Sequence, residues 1–200
     1  MSMLPFRKRT KGDTPEPAQP AGGSQAEGPV NILRFLKPEC IKMEVETTPT
    51  QPADDETDAQ RERRLVADKE AVLQEFADLL DASGQVNNPT KFYKDLVNRE
   101  RKATTAIVPS IAIPHVRTQQ ARGFMMGFAR STIGVPFASL DGGPTHLFFL
   151  LAAPPYEDKL YLKIYREFAE MVSNEWVIDA FMDAKDPQDV LNVLRGFITQ

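Results

Sequence analysis

The sequence predicts an α/β fold of three layers, in which helices cover both faces of a β-sheet. Apolar runs typical of strands lie in the middle of the chain, and helical apolar periodicity precedes and follows them. The run LFFLLA, which starts at Leu147, is apolar without alternation. Such a strand needs cover on both faces, so it predicts a central strand between two helical layers.

The chain divides into a tail and one domain. Residues 1–29 are rich in Pro, Gly and charge and lack apolar periodicity, which predicts a disordered tail. Residues 30–200 are expected to form a single domain. A polar stretch at about residues 48–66 indicates a mobile loop inserted into that domain, with helical character at its Arg-rich end.

A strand and two helices are predicted first. Residues 40–46 alternate as a half-buried strand. The helical pattern begins at Lys69, and Gly84 ends it because glycine tolerates the left-handed conformation after a helix. Asn88 and Pro89 then form a cap and first-position pair for a second helix. The apolar stripes of these helices comprise Val72, Leu73, Phe76, Leu79 and Leu80 in the first, and Phe92, Leu96 and Val97 in the second.

Three strands and three helices follow. The strands are predicted at residues 111–113, 124–129 and 147–152. The last helix begins at Asp186 and Pro187. The helical apolar positions are Leu160, Ile164, Phe168 and Met171, then Val177, Ile178 and Phe181, then Val190, Leu191, Leu194 and Phe197. The predicted order is therefore β-α-α-β-β-β-α-α-α.

Composition excludes several classes of function. The net charge of −4 does not favour a nucleic-acid partner, because a phosphate backbone requires a basic surface. No apolar run approaches the roughly 18 residues of a membrane span, and no signal peptide is recognisable, so we expect a cytoplasmic protein. One cysteine and two histidines do not favour a metal site. No P-loop or GxGxxG is present, and no cofactor is expected.

The stretch PSIAIPH ends at one of the two histidines, His115. Pro114 keeps Ile113 extended and is expected to turn the chain away, which makes His115 the first residue beyond a strand tip. No GxSxG nucleophile accompanies it. Two interpretations are open on this pattern alone: a structural or surface histidine, and an imidazole that carries a transferred group covalently.

The run RERKATTAIVPSIAIPHVR, residues 99–117, resembles the active-site segment of a known family. It is similar to the enzyme IIA domains of the bacterial phosphoenolpyruvate-dependent sugar phosphotransferase system, of the fructose/mannitol and nitrogen-regulatory type. The Arg-Glu pair, the two threonines and IAIPH stand at that family's spacing. FLKPECIKMEV, KEAVLQEFADLLDASGQV and PFASLDGGPTHLFFLLAAP resemble its first strand, first helix and central strand. The likeness covers residues 32–198 and implies the family's α/β/α sandwich with a mixed central sheet.

The resemblance implies a phosphohistidine carrier and hence a component of the phosphotransferase system. The family's histidine accepts a phosphoryl group from the phosphocarrier protein HPr and passes it to an enzyme IIB, or the phosphorylation state controls a regulatory target protein. That histidine corresponds to His115, and the family's phosphoryl-binding arginine to Arg99. A guanidinium group pairs with phosphoryl oxygens in a fork, which suits this role. The absence of fused transporter or enzyme IIB segments favours a regulatory role.

The sequence departs from the family at two places. AIVPS, residues 106–110, replaces a glycine-rich loop, so the hydroxyls of Thr105 and Ser110 are expected to substitute for lost backbone donors. Tyr161 stands where the family has a second histidine, either as a weaker hydrogen-bond donor or as a packing residue. These departures leave an alternative open: a non-catalytic regulatory or interaction module of the same fold that has lost phosphotransfer.

Overall fold

A five-stranded mixed sheet organises the computed structural model, which describes residues 31–198. The predicted disordered tail lies outside the described residues. The strands are β1 (Leu36–Lys42), β2 (Ile111–Ala112), β3 (His115–Arg117), β4 (Met125–Val135) and β5 (Thr145–Ala153). The helices are α1 (Asp58–Asp81), α2 (Pro89–Glu100), α3 (Asp158–Met171), α4 (Glu175–Asp183) and α5 (Pro187–Ile198), and a 3-10 turn (Ile32–Phe35) precedes β1.

The predicted three-layer α/β/α architecture is confirmed. The sheet order is β1-β4-β5-β2, and β3 also pairs with β5. β4 and β5 are antiparallel, whereas β1 on β4 and β2 and β3 on β5 are parallel, which makes the sheet mixed. One core lies under α1 and α2, and the other under α3, α4 and α5. Every residue of β5 from Leu147 onward is buried, as its unbroken apolar run predicts.

Local signals fix the ends of the first two helices. Thr57 caps α1 and forms a capping box with Gln60. Gly84 follows the helix at a φ of 71°, in the left-handed region that glycine tolerates. Asn88 caps α2 by accepting the backbone N–H of Lys91. The predicted end of the first helix and start of the second are therefore correct.

The first helix begins earlier than its apolar pattern indicates. α1 starts at Asp58 rather than at Lys69, so the Arg-rich end of the polar stretch is helical. Its first turns are largely exposed, which is why apolar periodicity does not reveal them. The residues before the helix are attached to it: Thr50 donates its hydroxyl to Asp68, and Arg64 donates to Glu56 and to the Thr50 carbonyl.

The first strand also differs from its prediction. β1 runs over Leu36–Lys42 instead of residues 40–46, because an irregular register between Leu36 and Ile41 breaks the alternation. Cys40 and Ile41 are consequently both buried. Val45 is buried beyond the strand end, where its N–H donates to the Arg130 carbonyl at 2.7 Å.

The chain does not turn away at Pro114. Ala112 lies opposite Phe148 and His115 opposite Leu151, so β2 and β3 keep a single register on β5 across the proline. The Pro114 carbonyl accepts the backbone N–H of Leu151 at 3.0 Å. Proline costs the ladder one donor, and its fixed φ is compatible with extended backbone. The expectation that His115 lies beyond the strand tip is therefore wrong, since His115 begins β3.

Phe149 lies at the centre of the core under the last three helices. Its ring centroid lies 5.5 Å from that of Phe128 and 5.2 Å from those of Phe168 and Phe181. We expect Phe149→Ala to lower the free energy of unfolding by about 3–5 kcal/mol, measured by urea denaturation. Ile133→Ala is the control, since Ile133 is 65% exposed on β4 and should change stability by less than about 0.5 kcal/mol. Equal losses in the two variants would contradict this packing.

Candidate active site

His115 has a defined tautomer. Its Nδ1 lies 2.7 Å from the Ile113 carbonyl oxygen. A carbonyl only accepts hydrogen bonds, so Nδ1 carries the proton. The Nε and a terminal nitrogen of Arg99 lie 3.0 and 2.7 Å from Nε2. A guanidinium only donates, so Nε2 presents its lone pair to Arg99 and the ring is neutral.

The same surroundings set the proton affinity of His115. Burial lowers the pKa of His115 below its ordinary value of 6.5, and the positive charge of Arg99 lowers it further. The hydrogen bond to the Ile113 carbonyl and the negative charge of Glu100 act in the opposite direction. The lowered pKa keeps the imidazole neutral, which is the form that acts as a nucleophile.

The end of α2 positions Arg99. It is the next-to-last residue of the helix, and one of its terminal nitrogens donates to the Ala103 carbonyl at 3.0 Å. That bond holds the guanidinium beside the helix C-terminus, where a positive charge is favourable. Arg99 thereby reaches across from α2 to β3, and the predicted pair of Arg99 and His115 is in direct contact.

An open cleft of about 820 Å³ lies over these two side chains. Its lining is polar and positively charged, with Lys102 and Arg117 beside Asn98 and Gln119. Asp95 also lines it and accepts the Thr118 hydroxyl. Arg117 is paired with Asp158 on α3, and the excess of positive charge that Arg99 and Lys102 supply attracts an anionic group to the cleft.

Tyr161, on α3, also lines the cleft. Its ring centroid is 6.0 Å from that of His115. Burial raises the pKa of Tyr161 to about 12, and the neighbouring Tyr165 acts in the same direction. The phenol therefore stays neutral and supplies no charge at the position of the family's second histidine.

The sequence-based interpretation did not include Tyr165. Its ring meets the His115 ring edge-on at 5.4 Å and is roughly parallel to that of Tyr161. The available signal was its spacing of four residues from Tyr161, which places both on one side of a helix. Tyr165 packs against the imidazole and restricts its rotation.

Thr105 and Ser110 do not line the cleft. Thr105 is buried, and its hydroxyl has no hydrogen-bond partner among the described residues. Ser110 lies before β2, where its carbonyl accepts the N–H groups of His146 and Leu147. His115 lies five residue steps along extended backbone from Ser110, a distance of roughly 16 Å. The geometry thus gives neither hydroxyl a contact with a group on His115.

Three further observations concern residues 31–198. Over this range, no cluster of three or more His, Cys, Asp or Glu side chains is arranged to hold a metal ion. Within the same range, no helix has the length and apolar character needed to cross a membrane. His146 bonds to the Ser131 carbonyl and packs against Gly134, away from the cleft.

The family model described as "Phosphoenolpyruvate-dependent sugar phosphotransferase system, EIIA 2" matches residues 60–196. The chain belongs to this family. The match begins inside α1 and includes every residue of the cleft named above.

Three curated relatives share its sequence. A fructose-specific EIIABC component of Bacillus subtilis is 29% identical over 128 residues, which are 64% of this chain and 20% of that longer protein. A fructose-specific EIIA component of Haloferax volcanii is 30% identical over 132 residues, 66% of this chain and 86% of the relative. A nitrogen regulatory protein of Bradyrhizobium diazoefficiens is 31% identical over 130 residues, 64% of this chain and 84% of the relative.

Solved structures share the EIIA fold. Nitrogen regulatory protein IIA-Ntr of Neisseria meningitidis matches with a TM-score of 0.66 and 20% identity, over 82% of this chain and 98% of that one. The complex of enzyme IIAMTL with phosphorylated enzyme IIBMTL of Escherichia coli matches with a TM-score of 0.58 and 20% identity, over 80% of this chain and 99% of the matched chain. The fold expected from the resemblance is confirmed.

The Arg99 charge makes a testable contribution to this site. We expect Arg99→Gln to raise the pKa of His115, because it removes a cation that opposes protonation of the ring. An NMR titration of the two histidines measures the change. The His146 signals serve as an internal control and should not move between the two proteins. A pKa of His115 that is unchanged or lower in the variant would contradict the contact with Arg99.

Proposed function

We propose that this EIIA-type chain is a phosphohistidine carrier. His115 accepts a phosphoryl group from phosphorylated HPr and passes it to an enzyme IIB or presents it to a regulatory target protein. The observation that carries the proposal is the arrangement around one ring: Nδ1 is bonded to the Ile113 carbonyl, and Arg99 faces Nε2. These contacts leave Nε2 as the nitrogen that can act as nucleophile.

The transfer step follows from this geometry. The Nε2 lone pair attacks phosphorus, a bond forms between Nε2 and phosphorus, and the phosphorus–nitrogen bond of the donor breaks with its electron pair returning to the donor imidazole. The proton on Nδ1 stays in its bond to the Ile113 carbonyl, which stabilises the positive charge that develops on the ring. No base is required, since the attacking nitrogen already lacks a proton.

Arg99 has two successive tasks in this scheme. In the unphosphorylated protein its nitrogens lie within 3.0 Å of Nε2 and occupy the place of an incoming phosphorus atom. The guanidinium must therefore withdraw as the phosphoryl group arrives. It then donates to two phosphoryl oxygens in a fork, an arrangement for which arginine is better suited than lysine. Catalysis of phosphoryl transfer consists largely of such positioning and charge stabilisation.

The surface around the cleft and one similar solved structure both support the binding of protein partners. Leu162 on α3 lines the cleft and is 64% exposed, and Tyr156, which follows the lining residue Pro155, is 78% exposed. An apolar centre with a charged rim is the usual composition of a protein interface. A similar fold occurs in a complex with phosphorylated enzyme IIBMTL. We infer that HPr and an enzyme IIB or a regulatory target dock on this face, with their phosphorylated residue directed into the cleft.

The phosphotransfer assay tests the proposal directly. In the presence of phosphoenolpyruvate, enzyme I and HPr of the same organism, we expect one acid-labile phosphoryl group per chain. His115→Ala should abolish it, and Arg99→Ala should slow transfer by about 10²–10³-fold, as for other groups that stabilise transition-state charge. His146→Gln is the matched control and should retain transfer. Because the pKa of His115 is lowered, acceptance should persist as pH falls through 6.5 and decline only below it.

One observation favours the alternative, a regulatory or interaction module without phosphotransfer. Tyr161 is buried and neutral where the family has a second titratable ring. If the alternative holds, no phosphoryl group passes from HPr to the chain, and His115→Ala leaves the binding of the partner protein unchanged. The alternative would be contradicted if His115→Ala lost partner binding and phosphorylation of the natural chain had the same effect.

Tyr161 itself can be tested by restoring the family's residue. We expect Tyr161→His to raise the rate of phosphoryl acceptance by up to about tenfold, because a second imidazole can take up a proton as the negative phosphoryl group arrives and then donate a charged hydrogen bond to it. Quench-flow measurement of labelled protein gives the rate. Tyr161→Phe is the companion variant: a rate equal to that of the natural protein assigns Tyr161 to packing, and a slower rate assigns a role to its hydroxyl. If Tyr161→His accepted the phosphoryl group more slowly than the natural protein, the inference that the site lacks a charged donor at this position would be wrong.

A further inference from the structure

A buried ion pair lies behind the candidate active site. Lys69 on α1 lies 2.6 Å from Oε1 of Glu100, the last residue of α2. Glu100 is 4% exposed. The same Oε1 accepts the backbone N–H of Thr105 at 3.0 Å, and Oε2 has no hydrogen-bond partner among the described residues. The pair lies outside the cleft and has no part in the transfer step described above.

Stability alone does not account for this pair. Removing two charges from water carries a large desolvation penalty, and well-packed apolar residues of the same volume often serve a fold equally well. The unpaired Oε2 adds to that penalty. A buried ion pair of this kind is better explained by the geometry that it fixes.

Glu100 is connected to the reactive imidazole by consecutive hydrogen bonds. It holds the Thr105 N–H at 3.0 Å, and the Thr105 carbonyl accepts the Ile113 N–H at 3.1 Å. The Ile113 carbonyl accepts Nδ1–H of His115 at 2.7 Å. The loop that replaces the glycine-rich segment is thus attached at one end to Glu100 and at the other to the residue that orients the ring.

Glu100 also follows Arg99 directly on the last turn of α2. Consecutive helical side chains diverge by about 100°, so Arg99 extends into the cleft while Glu100 extends into the core. Anchoring Glu100 on Lys69 fixes the helix end from which Arg99 reaches His115. The negative charge of Glu100 also opposes the effects of burial and Arg99 on the imidazole.

We propose that Glu100, held by Lys69, is a positioning residue for His115: it sets the Nδ1–H tautomer and ring orientation through Thr105 and Ile113, and it fixes the helix end that presents Arg99. This inference rests on the proposed function only for its consequence in phosphoryl transfer. The tautomer and orientation of the ring exist in the unphosphorylated protein and can be measured there.

The test is ¹⁵N NMR of the full chain with labelled histidine, which reports the tautomer and the pKa of each ring. In the natural protein we expect the Nδ1–H tautomer at His115. Glu100→Gln should shift His115 towards a mixture of tautomers and lower its pKa, since a negative charge near the ring is lost. Phosphoryl acceptance should fall by about tenfold, the lower range for outer-shell partners of a functional histidine.

The Lys42–Glu75 pair supplies a matched control. Lys42 lies 2.8 Å from Glu75 on α1. Like Glu100, Glu75 accepts backbone N–H groups, here those of Glu46 and Thr47. Glu75→Gln should leave the tautomer and pKa of His115 unchanged. Lys69→Arg, which keeps the charge and a donor for Glu100, should retain the tautomer of the natural protein.

The two Glu100 variants decide the outcome together. If Glu100→Gln fails to fold, Glu100→Asp replaces it: the charge for Lys69 stays, but the carboxylate is one methylene too short for Thr105, and the mixed tautomer is still expected. A folded Glu100→Gln or Glu100→Asp protein with the tautomer of the natural chain would overturn the inference. A different outcome separates the two proposals. If the natural chain accepts no phosphoryl group from HPr but Glu100→Gln still changes the tautomer of His115, the proposed function is contradicted and the positioning role stands.

Discussion

The rest of the structure depends on β5, because this strand has apolar side chains on both faces and must be covered everywhere. Helices cover its two faces, and β4 and the β2–β3 segment cover its two edges. The parallel pairing continues through Pro114 in a single register, and it is this continuity that places His115 opposite Leu151. The backbone of His115 is therefore held by the ladder of the central sheet rather than by a loop, and such rigid elements hold reacting groups most accurately.

Around His115, opposing effects act on protonation of the ring, and those that disfavour the protonated form prevail. Burial and the Arg99 guanidinium disfavour the protonated ring, whereas the Ile113 carbonyl and Glu100 favour it. The result is a neutral ring with one protonated and one unprotonated nitrogen in fixed places. A nucleophile prepared in this way needs no deprotonation at the moment of attack, and the neighbouring cation is already present to receive the negative phosphoryl oxygens. The neutral phenol of Tyr161 adds no positive charge, so Arg99 supplies the guanidinium in contact with the ring.

Much of this arrangement could be predicted from sequence, and the failures have physical causes. Helix caps such as Asn88 with Pro89, the turn at Gly84 and the two-faced burial of β5 are local signals, and each was predicted correctly. Family spacing assigned both Arg99 and His115 to the site, and the structure places them in contact. The start of α1 and the register of β1 were missed, because exposed helical turns and strand irregularities leave no apolar period.

The positions of the remaining site residues depend on tertiary geometry. Thr105 and Ser110 are close to His115 along the chain, but an extended strand carries Ser110 to its far end and burial removes the Thr105 hydroxyl from the cleft. Tyr165 reaches His115, and Lys69 reaches Glu100 behind the site, only through the packing of α3 and α1, which no local pattern encodes. Pro114 was interpreted as a break, although an extended strand tolerates a single missing donor.

The central claim is that Nε2 of His115 carries the phosphoryl group. A ³¹P–¹⁵N correlation spectrum of the phosphorylated chain, prepared with ¹⁵N-labelled histidine, tests it most directly. The predicted result is a single phosphorus coupled to Nε2 of His115, while Nδ1 retains its proton. Phosphorus on Nδ1, on His146 or on a residue other than histidine would contradict the account, as would a chain that acquires no phosphoryl group from HPr.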